Sequence, residues 1–109
     1  MVLSSSEIDA IYSTLGGDPD LGELVEMYVE EMPDRIDTFE QAFSLDDHEA
    51  LQRAAHQMKG AGQSYGFDLL TPLAATLEYA VRDEQPKEKI LKLLEELVGV
   101  CQRVRAGQP

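Results

Sequence analysis

Apolar side chains recur along this chain at steps of three and four, the period of one face of a helix. Ile8, Ile11, Tyr12 and Leu15 form the first stripe, preceded by Ser4 three residues before Glu7, a capping-box spacing. "GGDP" at 16–19 ends it, and Asp18 before Pro19 reads as an N-cap and first helical position. A long stripe follows through Leu21, Val25, Tyr28, Met32, Ile36, Phe39 and Phe43. Pro33 lies inside it and removes a backbone donor. Because the stripe stays in phase across Pro33, one kinked helix is expected rather than two.

"SLDDHEA" at 44–50 is the next break, and Asp46 with Glu49 repeats the cap spacing. The next helix is expected from about residue 47 to about residue 65, with Leu51, Ala54, Ala55, Met58, Gly62 and Tyr65 inward. Gly66 stands where a left-handed residue ends a helix. Leu69, Leu70, Leu73, Leu77, Ala80 and Val81 mark a fourth helix, with Pro72 tolerable in its first turn. After "RDEQPK", a fifth carries Ile90, Leu94, Leu97, Val98, Cys101 and Val104. No segment shows sustained period-two alternation. The expected fold is all-α: an antiparallel up-down-up-down four-helix bundle with a short extra N-terminal helix.

The 109 residues suit a single domain over 1–109 with its core at about 4–105. A net charge of −12 argues against nucleic-acid and anionic-membrane partners. The lone Cys101 excludes an internal disulfide and, on an apolar stripe, is read as core. No apolar run is long enough for a membrane span, and the N-terminus lacks the features of a signal peptide, so a cytoplasmic location is expected.

The candidate chemistry lies in "AAHQMKGAGQSYGF", residues 54–67. With Leu51 at zero on a helical wheel, His56 falls at about 140°, on the outward side. Gln52, Lys59, Gly60 and Gln63 share that broad face. An exposed histidine is usually only solvated. Its surroundings raise this one: residues 50–65 contain no acid, although an even spread of the 21 acids would place about three there. Arg53 and Lys59 make the window positive, which suits a neutral imidazole that will carry a negative group. A mid-helix glycine costs about 1 kcal/mol relative to alanine. Gly60, one turn beyond His56, is read as clearing space for close approach. Gly62, on the inward side, is read as permitting helix packing.

These residues resemble the signature of the histidine-containing phosphotransfer (HPt) domain family. The pattern is a His, a Lys at +3, a Gly at +4 and a Gly at +10, filled by His56, Lys59, Gly60 and Gly66. The Pro-containing helix "YVEEMPDRIDTFEQAF" and the later "LLTPLAATLEYAV" resemble the same family, over roughly residues 4–105. Where family members commonly have small or hydroxyl residues after the first Gly, this chain has Ala61 and Gly62. The resemblance implies a four-helix bundle in which His56 is phosphorylated through Nε2. It implies a carrier between receiver-domain aspartates, or from a kinase, in two-component signal transduction.

Under that reading Lys59 stabilises the phosphoryl group and Gly60 admits the partner. Gln52 and Gln63 are secondary candidates for hydrogen bonds, and Ala61, Tyr65 and Phe67 border the docking area, the two aromatics being expected to pack on the core. The partner is a receiver domain of a response regulator or hybrid histidine kinase, which would bring its own Mg²⁺. The chain itself is expected to bind no cofactor and no metal, to be a monomer and to be a phosphocarrier rather than an enzyme, since it has no phosphate-binding loop or kinase box. The competing reading is an interaction module regulating a kinase or receiver without carrying phosphate. A di-iron bundle lacks its Glu-x-x-His pairs. His48 lies about 80° from His56 on the wheel and is read as solvated. An acyl carrier lacks its Asp-Ser-Leu, since Phe43 precedes Ser44 and Leu45.

Overall fold

Helices form where the apolar repeat places them, because each stripe can be buried only against another. The structure, a computed structural model, describes residues 10–108. Its helices are α1 (Gly22–Glu30), α2 (Met32–Ser44), α3 (His48–Ser64), α4 (Leu70–Arg82) and α5 (Lys87–Cys101). Two short strands, β1 (Ile11–Tyr12) and β2 (Val104–Arg105), pair in parallel. α3 lies against α2 and α4, and α5 against α4 and α2, so these four helices close a ring. The ring is a helical bundle, and α1 rests on α2 and β2.

Phe39 of α2, Leu51, Ala55 and Met58 of α3, Leu70, Ala74 and Leu77 of α4, and Leu94 and Leu97 of α5 fill its centre. Each large aliphatic chain fully removed from water there contributes roughly 1.5–3 kcal/mol. Cys101 packs in this core with Sγ 3.5 Å from Met58 Sδ, and burial pushes its thiol up to about 12.

Pro33 divides the long second segment instead of kinking it. The pyrrolidine has no N–H for the carbonyl four residues back, and its ring crowds that carbonyl. Regular helix therefore stops at Glu30 and restarts at Met32. Glu31 between them keeps helix-like angles (φ −87°, ψ −4°), which is why the apolar stripe stays in phase.

The expected N-terminal helix is also corrected. Ser4, Glu7 and Ile8 lie outside the described residues. Ile11 and Tyr12 are extended, paired with Val104 and Arg105, and Ile11 donates its N–H to the Arg103 carbonyl at 2.8 Å. β-Branched and aromatic residues suit a strand when a partner backbone is at hand. Val104 accordingly belongs to β2, not to the fifth helix. The Asp18 carboxylate accepts from Asp20 and Leu21 at 2.8 and 2.9 Å, capping the turn that leads into α1.

Two ends differ in detail. The cap of α3 is Asp47, whose side chain accepts from Ala50 N–H at 3.0 Å. Asp46 is instead left-handed (φ 52°) and pairs with Lys87 at 2.9 Å. Leu69, placed on the fourth apolar stripe, precedes α4 and is exposed.

The far end of α3 closes as expected. Gly66 is left-handed at φ +76°, Phe67 N–H reaches back to the Gly62 carbonyl at 2.8 Å, and Gly66 N–H reaches Gln63 at 3.4 Å. A second reason for glycine appears here. The Ser13–Leu15 turn lies on it: Thr14 N–H donates to the Gly66 carbonyl at 3.0 Å, and a Cβ on Gly66 would stand 2.6 Å from the Ser13 and Thr14 hydroxyls.

Candidate functional site

α3 buries Leu51, Ala55, Met58 and Gly62 and turns His56 outward, with 65% of the imidazole side chain exposed. The ring is nonetheless held. Its Nδ1 lies 2.8 Å from Oε2 of Glu78, which projects from α4. The other carboxylate oxygen, Oε1, accepts from Nζ of Lys59 at 2.7 Å. One carboxylate thus joins the two residues that stand one turn apart on α3.

This contact depends on how closely the two helices approach. A Cβ on Gly62 would lie 2.9 Å from both Leu70 Cβ and Thr71 Oγ1. Thr71 also donates its hydroxyl to the Lys59 carbonyl at 3.0 Å. Glycine at 62 thus permits the close approach of α3 to the start of α4, the helix that carries Glu78.

The Glu78 side chain is 11% exposed, and a buried carboxylate requires partners. Hydrogen bonding from Lys59 first, and from His56 second, holds its pKa below the ordinary carboxylate value. The same contact raises the Lys59 ammonium. An ionised carboxylate can only accept, so the His56 proton belongs on Nδ1. Nε2, on the other edge of the ring, keeps its lone pair. The tautomer that makes Nε2 a nucleophile is therefore the one this neighbour selects.

Glu78 is the residue that sequence reasoning missed. A signal existed: it stands four residues after Ala74 and three before Val81, a charge inside the apolar arc of α4. It also changes the reading of the acid-free window, since the fold inserts an acid from another helix. Lys59 is ion-paired, and Arg53 pairs with Glu49 at 3.3 Å. Tyr79 adds to the surroundings of Lys59, whose Nζ lies 5.4 Å from the ring centroid; Arg82 lies 4.7 Å from the same centroid.

The remaining candidates separate clearly. Gln52 joins His56, Glu78, Glu49 and Arg53 around an open depression of about 370 Å³. Gln63 is exposed further along α3 and does not line it. Gly60 is exposed, and a Cβ there would meet nothing within 4 Å. Tyr65 stacks on Tyr28 at 4.5 Å and Phe67 is buried, so both aromatics pack inward, while Ala61 is half-buried. His48 is exposed in the first turn of α3. Among the described residues, no group of three His, Cys, Asp or Glu side chains is placed to hold a metal ion, and no helix is long and apolar enough to cross a membrane.

Fold and site together describe a helical-bundle domain that presents an oriented imidazole. The Hpt domain family matches the chain over residues 23–107, which is most of its length. The chain belongs to that family, whose members are phosphocarrier modules, and is a phosphotransfer module of two-component signalling, of the kind that interacts with receiver domains and kinases. No curated protein and no solved structure matches it.

Proposed function

We propose that His56 accepts a phosphoryl group from a receiver-domain aspartate, or from a kinase, and passes it to the aspartate of another receiver domain. The observation that carries this reading is the 2.8 Å contact between His56 Nδ1 and Glu78 on an otherwise exposed ring. In the forward step the Nε2 lone pair attacks the phosphorus of an aspartyl phosphate. The P–N bond forms, the P–O bond breaks, and its electron pair leaves with the aspartate carboxylate. The imidazole becomes an N-phosphoryl imidazolium. Its Nδ1 proton stays in place, hydrogen-bonded to Glu78, whose negative charge stabilises the positive charge the ring acquires. Transfer onward is the reverse of this step.

Phosphoryl transfer rests on in-line positioning and on neutralising spread negative charge. The receiver supplies its aspartate, its Mg²⁺ and its own lysine. In this chain Lys59 keeps Glu78 ionised, and its ammonium adds positive charge that stabilises the phosphoryl group without touching it. The open space over Gly60 supports close approach of the partner. Gln52 borders the imidazole and is a hydrogen-bond donor for the phosphoryl group or the partner, and Gln63 extends the same face toward the partner. Gly66 serves by ending α3.

The deciding experiment incubates the protein with a phosphorylated receiver domain and reads its intact mass, beside His56→Gln. The wild type is expected to gain one phosphoryl group and the variant none. Equal uptake by the variant overturns the assignment to His56.

A further inference from the structure

Where the phosphoryl group rests follows from the ring's orientation. Taking Leu51 as zero, Lys59 falls at about 80°, His56 at about 140° and Arg53 at about 200° on the wheel. Glu78 touches both Lys59 and His56, so α4 flanks the imidazole on the Lys59 side. Nδ1 faces that flank. Arg53 stands on the opposite flank of His56.

Side chains on a helix also lean toward its N-terminus, so an imidazole at 56 covers the turn that carries residues 52 and 53. Arg53, Gln52, Glu49 and Glu78 line the depression beside the ring, and Lys59 does not. The two cations are held very differently. Lys59 is fixed at 2.7 Å to a carboxylate that is 11% exposed. The Arg53 ion pair is with Glu49 at 3.3 Å, and these side chains are 62% and 86% exposed. A surface pair of that kind gives way readily to a doubly charged acceptor.

We propose that Arg53 is the phosphoryl-binding cation of this site: once His56 is phosphorylated, the guanidinium leaves Glu49 and takes the phosphoryl oxygens on Nε2 in a fork of two N–H bonds. The inference rests on the reading of His56 as the phosphorylated residue. It gives the two cations separate tasks, Lys59 holding the carboxylate that orients the ring and Arg53 holding the group the ring carries. Glu49, the other acid lining the depression, repels the incoming group, and the Arg53 guanidinium on the phosphoryl oxygens offsets that repulsion. Guanidinium matches phosphate geometry where an ammonium offers only a point charge.

The test phosphorylates the protein with phosphoramidate, which needs no partner, and follows phosphohistidine by intact mass and by ³¹P resonance. Wild type, Arg53→Ala, Arg53→Lys, Glu49→Gln and His56→Gln are compared. A second arm measures the extent of phosphorylation at equilibrium with a receiver domain. Arg53→Ala is expected to reduce phospho-His56 at that equilibrium roughly tenfold and to move its ³¹P resonance, as loss of a charge-assisted pair would. Arg53→Lys is expected to recover only part of this, and Glu49→Gln to raise occupancy. Wild-type occupancy and resonance in Arg53→Ala overturn the proposal while leaving His56 as the carrier. Equal phosphate on His56→Gln overturns the carrier assignment, and the Arg53 inference falls with it.

Discussion

Glu78 meets His56 at 2.8 Å across 22 residues of sequence, and its second oxygen meets Lys59 at 2.7 Å. A histidine with one nitrogen already bound to a carboxylate is no longer a freely rotating surface side chain. Its tautomer and its exposed edge are both set before any partner arrives.

Replacing Glu78 with Gln tests this directly. The amide keeps the shape but offers N–H donors as well as an acceptor, so the ring can reverse its tautomer or turn away. Phosphoryl uptake from a phosphorylated receiver is expected to slow roughly 10–100-fold, the effect of losing a hydrogen bond to a charged group. Single-turnover transfer read by intact mass measures it, and an unchanged rate removes Glu78 from the site. The circular-dichroism spectrum is expected to stay that of the wild type.

The same carboxylate makes stability depend on pH. Its native pKa is held below the ordinary value of 4.5, chiefly by Lys59 and then by His56. As pH falls, the unfolded chain therefore takes up this proton before the folded one does. The stability tied to Glu78 is fully present above 4.5 and is lost as pH drops through the lower native value. Urea midpoints of the wild type and Glu78→Gln should differ above about pH 5 and converge as the solution is made more acid. A gap that widens in acid contradicts the assigned direction.

Legibility from sequence followed the range of the interactions. The helices, the outward angle of His56 and the left-handed Gly66 were readable because each depends on residues within a turn or two. Asp47 rather than Asp46 caps α3, an error of one residue between adjacent aspartates. Glu78, by contrast, acts through helix packing, and only its awkward place among Ala74, Leu77 and Val81 hinted at it. Ile11 and Tyr12 kept a helical spacing yet became a strand, because Val104 and Arg105 at the other end of the chain supply a backbone to pair with. The inward angle of Gly62 marks it as a packing residue, but nothing local to it shows that the helix it packs against carries the carboxylate that meets His56.

Gly60 and Gly62 should answer oppositely to alanine. At 60 a methyl group meets no atom of this chain within 4 Å, so Gly60→Ala is expected to stabilise the helix by about 1 kcal/mol. Any loss of transfer in that variant then comes from contact with the partner, and slower receiver transfer with unchanged phosphoramidate labelling is expected. At 62 the methyl meets Leu70 and Thr71 at 2.9 Å, so Gly62→Ala is expected to cost about 1–3 kcal/mol and to slow both reactions by pushing Glu78 away. Urea unfolding with the two labelling assays separates these outcomes. A destabilised Gly60→Ala or a stabilised Gly62→Ala contradicts the packing described for α3 and α4.

Tyr28 carries a cost in stability. Its ring stacks on Tyr65, at 4.5 Å between centroids, and meets the Arg35 guanidinium at 4.2 Å, with Phe67 6.2 Å away. Its hydroxyl is buried with no hydrogen-bond partner among the described residues, and burial pushes its pKa up to about 12. An unpaired buried hydroxyl loses its hydration without replacement, whereas the ring contacts need only the aromatic face. Tyr28→Phe keeps those contacts and removes the orphaned group, so it is expected to stabilise the protein by about 1 kcal/mol. Tyr28→Leu, which removes the stack as well, should destabilise it. In urea unfolding the Phe variant should raise the midpoint at unchanged slope, since the surface exposed on unfolding is nearly the same. A lowered midpoint would mean that the hydroxyl does have a partner and that this side of the bundle is held by a polar contact as well as by stacked rings.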